Sequence, residues 1–250
     1  MLMHLCVCIV SVAPIRKEPS HKSEIVTQLL FLESATFLEE QGDFVRIKCT
    51  YDGYEGWCQV GQLSIVDSLE PNVGWHLKAI NNVAINQNNI LASIGTPWFN
   101  KPLHINNYIA ECAGEESNGN LQFAEENIVA LTAKYIGAPY LWGGKSIFGI
   151  DCSGFSQQVF KMMGKYLPRD AYQQAELGNN IGFLEEASCG DLAFFDDENG
   201  KITHVGILLN SHSIIHASSY VKIDKIDSMG IISSLTNKRT HKLRLIKSYK

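Results

Sequence analysis

Pro139-Tyr140-Leu141-Trp142-Gly143-Gly144, a six-residue spacer, and Asp151-Cys152-Ser153-Gly154-Phe155 form the stretch that decides how this chain is read. Cys152 stands where a helix should begin. Asp151 before it is an N-cap residue, and Phe155, Val159 and Met162 or Met163 recur at helical spacing ahead of Gly164. Upstream, Leu121, Ala124, Ile128, Leu131 and Tyr135 share one helical face, with Gly137 placed to stop it. Downstream, strands are expected at 191–195, 202–209 and 214–218, the first two separated by the turn Asn199-Gly200. Helices followed by a run of antiparallel strands predict an α+β domain over 121–250.

Two of those strands carry histidines, in Thr203-His204-Val205-Gly206-Ile207 and Ile214-Ile215-His216-Ala217-Ser218. A thiol facing imidazoles is the layout of a cysteine hydrolase. A free thiol titrates near pH 8.5, and the thiolate is the nucleophile. A helix N-terminus, an Asp151 cap and a neighbouring imidazolium are each expected to raise the thiolate fraction of Cys152. His204 is the better candidate base. Gly206 on the same strand face leaves room for a packed helix end, and a hairpin centred near Asn210 would set His216 across from His204 to fix its tautomer. A zinc site built on Cys152 and the two histidines lacks a fourth ligand at useful spacing. His4, His21, His76, His104, His212 and His241 sit in no such constellation and read as structural or solvent-facing.

The remaining sequence bounds the answer. A net charge of -5 with no long basic run gives no footprint for nucleic acid or an anionic membrane. Seven cysteines, odd in number and without a Cys-x-x-Cys pair, read as small buried hydrophobes in a reducing compartment, Cys152 apart. The apolar start, Met1 to Val10, lacks a basic n-region and a small-x-small cleavage site, so it reads as a first strand, which favours the cytoplasm, or the periplasm if an export signal was removed. No run reaches the roughly 18 apolar residues that span a bilayer. Residues 1–66 read as a short all-β barrel: Val45, Ile47 and Cys49 alternate with polar neighbours, and Asp52-Gly53 turns into Gly56-Trp57-Cys58-Gln59-Val60. Residues 67–120 are asparagine-rich with short apolar runs, which leaves a second, reduced barrel or an ordered connector open; Gly114 to Asn120 reads as a solvated linker.

Taken together, Pro139-Tyr140-x-Trp142-Gly143-Gly144, Asp151-Cys152-Ser153-Gly154-Phe155, Leu167-Pro168-Arg169, Gly190-Asp191-Leu192-x-Phe194-Phe195, His204-Val205-Gly206-Ile207 and His216-Ala217-Ser218 resemble the NlpC/p60 cysteine peptidases. The Gly-Trp strand resembles bacterial SH3-like domains. The resemblance implies a papain-like catalytic domain preceded by one or two small SH3-like barrels. It assigns Cys152 as nucleophile, His204 as base, His216 as the orienting residue and Tyr140 as an oxyanion donor beside the Cys152 N–H; a packing aromatic is the other reading of Tyr140.

Barrels placed before such a domain are similar to the γ-D-glutamyl-L-diamino acid endopeptidases (dipeptidyl-peptidase VI), which cut muropeptides with a free N-terminal L-Ala during cell-wall recycling. The substrate would be L-Ala-γ-D-Glu-diamino acid, with no cofactor needed. On that likeness Asp151 is the candidate for the substrate ammonium, with Glu18 and Tyr54 weaker candidates from barrel loops. Arg169 would take the D-Glu carboxylate or form a structural salt bridge, and Ser153 would add a hydrogen bond. Ala171 stands where similar enzymes carry a hydroxyl. A non-catalytic wall-binding scaffold and an acyltransferase or amidase on the same core are the rival readings.

Overall fold

Alternation of apolar and polar residues dominates the chain, and in the computed structural model the described residues form 22 strands and three α-helices. The structure describes residues 4–112 and 119–249, so most of the expected linker at Gly114 to Asn120 lies outside the described residues. The chain divides into two units, one of residues 1–120 and 142–148, the other of 121–141 and 149–250.

In the first unit, β1 (Leu5–Cys8), β2 (Val12–Arg16), β3 (Ile25–Leu30), β4 (Ser34–Gln41), β5 (Phe44–Cys49), β6 (Glu55–Gln59) and β7 (Leu63–Val66) form one antiparallel sheet in the order β3-β2-β6-β5-β4-β1-β7. The apolar N-terminal run is thus a core strand. Cys6, Cys8, Cys49 and Cys58 are buried with Ala13, Ile15, Leu29 and Ile47 in one cluster. None is disulfide-bonded. Burial pushes Cys6 up to about 11 and Cys8 up to about 12, so these thiols behave as small hydrophobes.

The asparagine-rich segment is ordered β-structure. β8 (Gly74–Trp75) pairs with β11 (Pro97–Trp98). β9 (Ile80–Ile85), β10 (Asn88–Ser93), β12 (Leu103–Ile105) and β13 (Tyr108–Cys112) form a sheet in the order β10-β9-β13-β12. The asparagines make turns: Asn86 and Asn106 hold positive φ, 47° and 51°, at the β9–β10 and β12–β13 reversals. Asparagine tolerates that region better than other non-glycine residues. Val83, Ala92, Phe99 and Ile105 share a core with Val7, Phe31, Leu32 and Val66.

Residues 142–148, which include β14 (Lys145–Ser146), also belong to this unit. Gly143 has φ +78°, and a Cβ there would lie 2.3 Å from the Ile25 carbonyl oxygen, so only glycine fits. The Lys145 N–H donates to Gln28 Oε1 at 2.7 Å, Trp142 Nε1 donates to Glu24 at 2.7 Å, and the buried Lys145 ammonium lies 3.5 Å from the Glu33 carboxylate.

The second unit contains α1 (Glu125–Ala133), β15 (Gly149–Ile150), α2 (Cys152–Met162), α3 (Ala171–Gln174), β16 (Asn179–Ile181), β17 (Leu192–Asp196), β18 (Ile202–Asn210), β19 (Ser213–Ser218), β20 (Tyr220–Asp227), β21 (Gly230–Ile232) and β22 (Arg239–Ser248). The sheet runs β16-β22-β17-β18-β19-β20-β21, and a further β21–β22 pairing closes its last six strands into a barrel. The fold is α+β with a strong β character, and α2, buried along its whole length, lies against β18 and β19. Tyr135 meets Phe155 edge-on at 5.4 Å, and Phe123 and Tyr249 do the same to Phe160. These contacts fix α2 in depth and rotation.

A buried carboxylate that loses its cation is costly, so Lys145→Met should destabilise the first unit by about 3 kcal/mol. A urea titration followed by tryptophan fluorescence checks this, and an unchanged midpoint would mean that Glu33 does not depend on the pair.

Candidate active site

Asp151 fixes where α2 starts. Its backbone is extended, and its Oδ1 accepts the Gly154 N–H at 2.7 Å, so Cys152 becomes the first helical residue. The same carboxylate takes both Nη atoms of the buried Arg169, at 3.0 and 2.5 Å, while Arg169 Nη1 also donates to Ser153 Oγ at 3.0 Å. Ser153 Oγ in turn lies 3.3 Å from Asp151 Oδ1. The two side chains expected at opposite ends of a substrate are therefore paired with each other. Gln174 ties the helix down from the other side, donating to the carbonyls of Ser153 and Pro168 and accepting from Ser156 Oγ at 2.7 Å.

The histidines stand on adjacent strands, with a register that differs from the expected one. Ile207 faces Ile215 and Leu208 faces Ile214, which carries His216 alongside Gly206 and diagonal to His204 rather than across from it. That is what Gly206 is for. A Cβ there would lie 2.9 Å from His216 Cβ and 2.7 Å from Ile214 Cδ1, so the missing side chain makes room for the neighbouring strand and not for a helix end. Across the diagonal, His204 Nε2 and His216 Nδ1 are 2.8 Å apart. The far nitrogen of His216, Nε2, is 3.0 Å from Asp224 Oδ2 on β20. The Val205 backbone, next to His204, interacts with the Cys152 sulfur and favours its thiolate.

Sequence reading missed Asp224, and the signal was present. In β20 Ile223 points outward, 43% exposed, while Asp224 points inward, an inversion of the usual pattern. His241, read as structural or solvent-facing, packs against the histidine pair. His241, Leu243 and Leu245 alternate on one face of β22, and the His241 ring stacks on His204 with centroids 4.2 Å apart and planes 24° apart.

Protonation states follow from burial. Desolvation, followed by the neighbouring His216 and His241, holds His204 well below the ordinary histidine range, so it rests neutral. Burial also pushes the Cys152 thiol up to about 12, with Asp151 adding to the rise and the Val205 and Ser153 backbones and Arg169 opposing it. The expected depression of the thiol by its helix position is thus outweighed. At rest the thiol is protonated and the His204 imidazole neutral. Tyr140 is half-buried, its phenol held protonated by burial and by the nearness of Cys152 and Asp151. A protonated phenol can donate to an oxyanion. Glu18 and Tyr54 lie in the first unit: Glu18 is exposed at a bend, and Tyr54 packs half-buried against the barrel core. Among the described residues, no group of three or more histidine, cysteine or carboxylate side chains is placed to hold a metal ion.

A cysteine opening a buried helix, with a histidine pair on the adjoining strands, is an arrangement that can support thiol hydrolysis. Residues 137–242 match the NlpC/P60 family and residues 11–64 match the bacterial SH3 domain. Over residues 137–242 the chain is thus similar to NlpC/P60 family proteins and, before that segment, over 11–64, to bacterial SH3 domains.

Among curated relatives, the gamma-D-glutamyl-L-lysine dipeptidyl-peptidase of Bacillus subtilis is 45% identical over 94 residues, spanning 37% of this chain but only 31% of that protein. The protein of the same name from Bacillus cereus is 23% identical over 89% of this chain and 77% of its own length. In structure, an NlpC/P60 family protein from Bacillus cereus superposes with a TM-score of 0.83 at 20% identity, covering 98% of this chain and 99% of that one. At that identity the likeness is one of fold.

The lowered titration of the buried imidazoles has a consequence for stability. His241 titrates at about 4 in the fold, against about 6.5 when free, and His204 is shifted the same way. Between those values the unfolded chain binds protons that the folded site refuses, so stability should fall as pH drops from 6.5 towards 4. Above pH 7.5 these groups contribute no slope. Urea midpoints at pH 8, 6 and 4.5 test the sign; a midpoint that holds or rises towards pH 4.5 contradicts it.

Proposed function

We propose that this protein is a cysteine endopeptidase that hydrolyses the γ-D-Glu–diamino acid bond of cell-wall peptides with a free N-terminal L-Ala. One observation carries the chemistry: the 2.8 Å link between His204 and His216, set beside a cysteine at the start of α2. The substrate class is supported by the relatives named gamma-D-glutamyl-L-lysine dipeptidyl-peptidase, one of which aligns along most of this chain.

In this reading the Cys152 sulfur attacks the γ-carbonyl carbon while His204 takes the thiol proton. The tetrahedral oxyanion receives hydrogen bonds from the Cys152 N–H and the Tyr140 hydroxyl. Collapse breaks the C–N bond, His204 protonates the departing amine, and a thioester remains on Cys152. Water, with His204 as base, then releases L-Ala-γ-D-Glu. His216 holds the His204 ring throughout. Asp151 and Arg169, with Ser153 beside them, are the candidates for the dipeptide's ammonium and α-carboxylate, and at rest each is engaged by the other. Glu18 and Tyr54 are secondary candidates for the ammonium end. Recycling of released wall peptides in the cytoplasm is the setting that suits such a substrate. The described residues contain no helix long and apolar enough to cross a membrane.

Incubation with L-Ala-γ-D-Glu-L-Lys and its N-acetylated form tests the assignment. Cleavage of the free amine alone is expected, and cleavage of neither, or of both equally, rejects it. Cys152→Ala and His204→Ala should each lower kcat by at least about 10³, with peptide binding retained. Asp151→Asn should shrink the ratio of kcat/KM between the free and acetylated peptides by about tenfold; an unchanged ratio moves ammonium recognition to another residue.

A further inference from the structure

The polar chain does not end at His216. Asp224 is 2% exposed, and each of its oxygens is engaged. Oδ2 lies 3.0 Å from His216 Nε2, with the Lys222 ammonium 3.9 Å away, while Oδ1 accepts the Ser234 N–H at 2.8 Å and the Ser234 hydroxyl at 2.7 Å. A carboxylate surrounded by donors stays ionised, and an ionised carboxylate only accepts.

Three deductions follow in order. The hydrogen between His216 and Asp224 must sit on His216 Nε2. With its one hydrogen placed there, the His216 ring presents a lone pair at Nδ1, which faces His204 Nε2 at 2.8 Å. That nitrogen of His204 must therefore carry the hydrogen, which leaves Nδ1 as its one basic atom, the atom able to take a proton from Cys152. Reversing the first hydrogen would reverse the others and leave His204 with no lone pair for the thiol.

We propose that Asp224 is a positioning residue for the reaction: acting through His216 and touching no substrate, it sets the ring tautomer that makes His204 a base. The geometry supports this over a purely structural role. Each of the three groups stands one strand further on, diagonal to the last, so that one oxygen of Asp224 is reserved for the histidine and the other for the Ser234 turn. The remaining neighbours leave this order intact. The His241 ring stacks on His204 face to face, and Lys222 offers only donors.

This inference rests on Cys152 and His204 being the reacting pair, so its test includes a readout that needs no substrate. In the wild-type protein at pH 7.5, two-bond ¹⁵N correlation spectra should show both rings protonated at Nε2 and bare at Nδ1. Either ring protonated at Nδ1 overturns the proposal, whatever the protein turns out to cleave.

Asp224→Asn keeps the shape but turns its amide towards His216, because the other orientation would set N–H against the Ser234 N–H. Both rings should then switch to the Nδ1–H form, and kcat for the muropeptide should fall by about 10² to 10⁴ with KM changed less than threefold, as misassigned tautomers in hydrolase triads do. A wild-type kcat in a folded Asp224→Asn variant, or unswitched rings, rejects the role. If that variant fails to fold, the wild-type spectra alone decide.

Discussion

The start of α2 and everything held against it depend on the Asp151 carboxylate being where it is. One oxygen caps α2 and so makes Cys152 the first helical residue; both oxygens clamp Arg169, which binds Ser153 in turn. A charged pair this deeply buried is expensive to desolvate, and its value lies in specificity of placement rather than in stability. It ties the segment around Arg169 to the start of α2, while Gln174 ties α3 to the same turn. Packing alone would hold the helix in place; the carboxylate decides which residue begins it.

Opposite the helix, the sheet holds a polar chain in apolar surroundings. His204, His216 and Asp224 step diagonally across β18, β19 and β20, flanked by fully buried Val205, Ile207, Ile215 and Ala217. The diagonal is possible because Gly206 leaves its place beside His216 empty. Burial settles two resting charges, His204 neutral and the Cys152 thiol protonated, while the carboxylate of the chain, Asp224, stands at the far end beside Lys222. The site is preorganised in hydrogen-bond direction rather than in charge.

Much of this was legible in the sequence, and the failures have physical causes. Helical spacing before Gly164 and the alternation around His204 and His216 gave α2, β18 and β19 nearly to the residue, because each element buries one regular face. The asparagine-rich stretch was opaque because its side chains serve left-handed turns, as at Asn86 and Asn106, and its core is completed by residues far away, such as Phe31 and Val66. The hairpin register was misjudged by a diagonal, since a bulge between Leu208 and Asn210 shifts the pairing. Asp224 and His241 were overlooked although both keep the inward phase of their strands. The effect of burial on Cys152 was out of reach, because no local pattern reports how completely a helix start is covered.

That coverage bears on how the protein withstands an oxidising environment. Peroxide attacks thiolates, and a sulfur kept protonated and 6% exposed offers very little thiolate. Of the other six cysteines, four lie sealed in the core of the first unit and are equally poor targets. A sulfur held this way rests in its least oxidisable form.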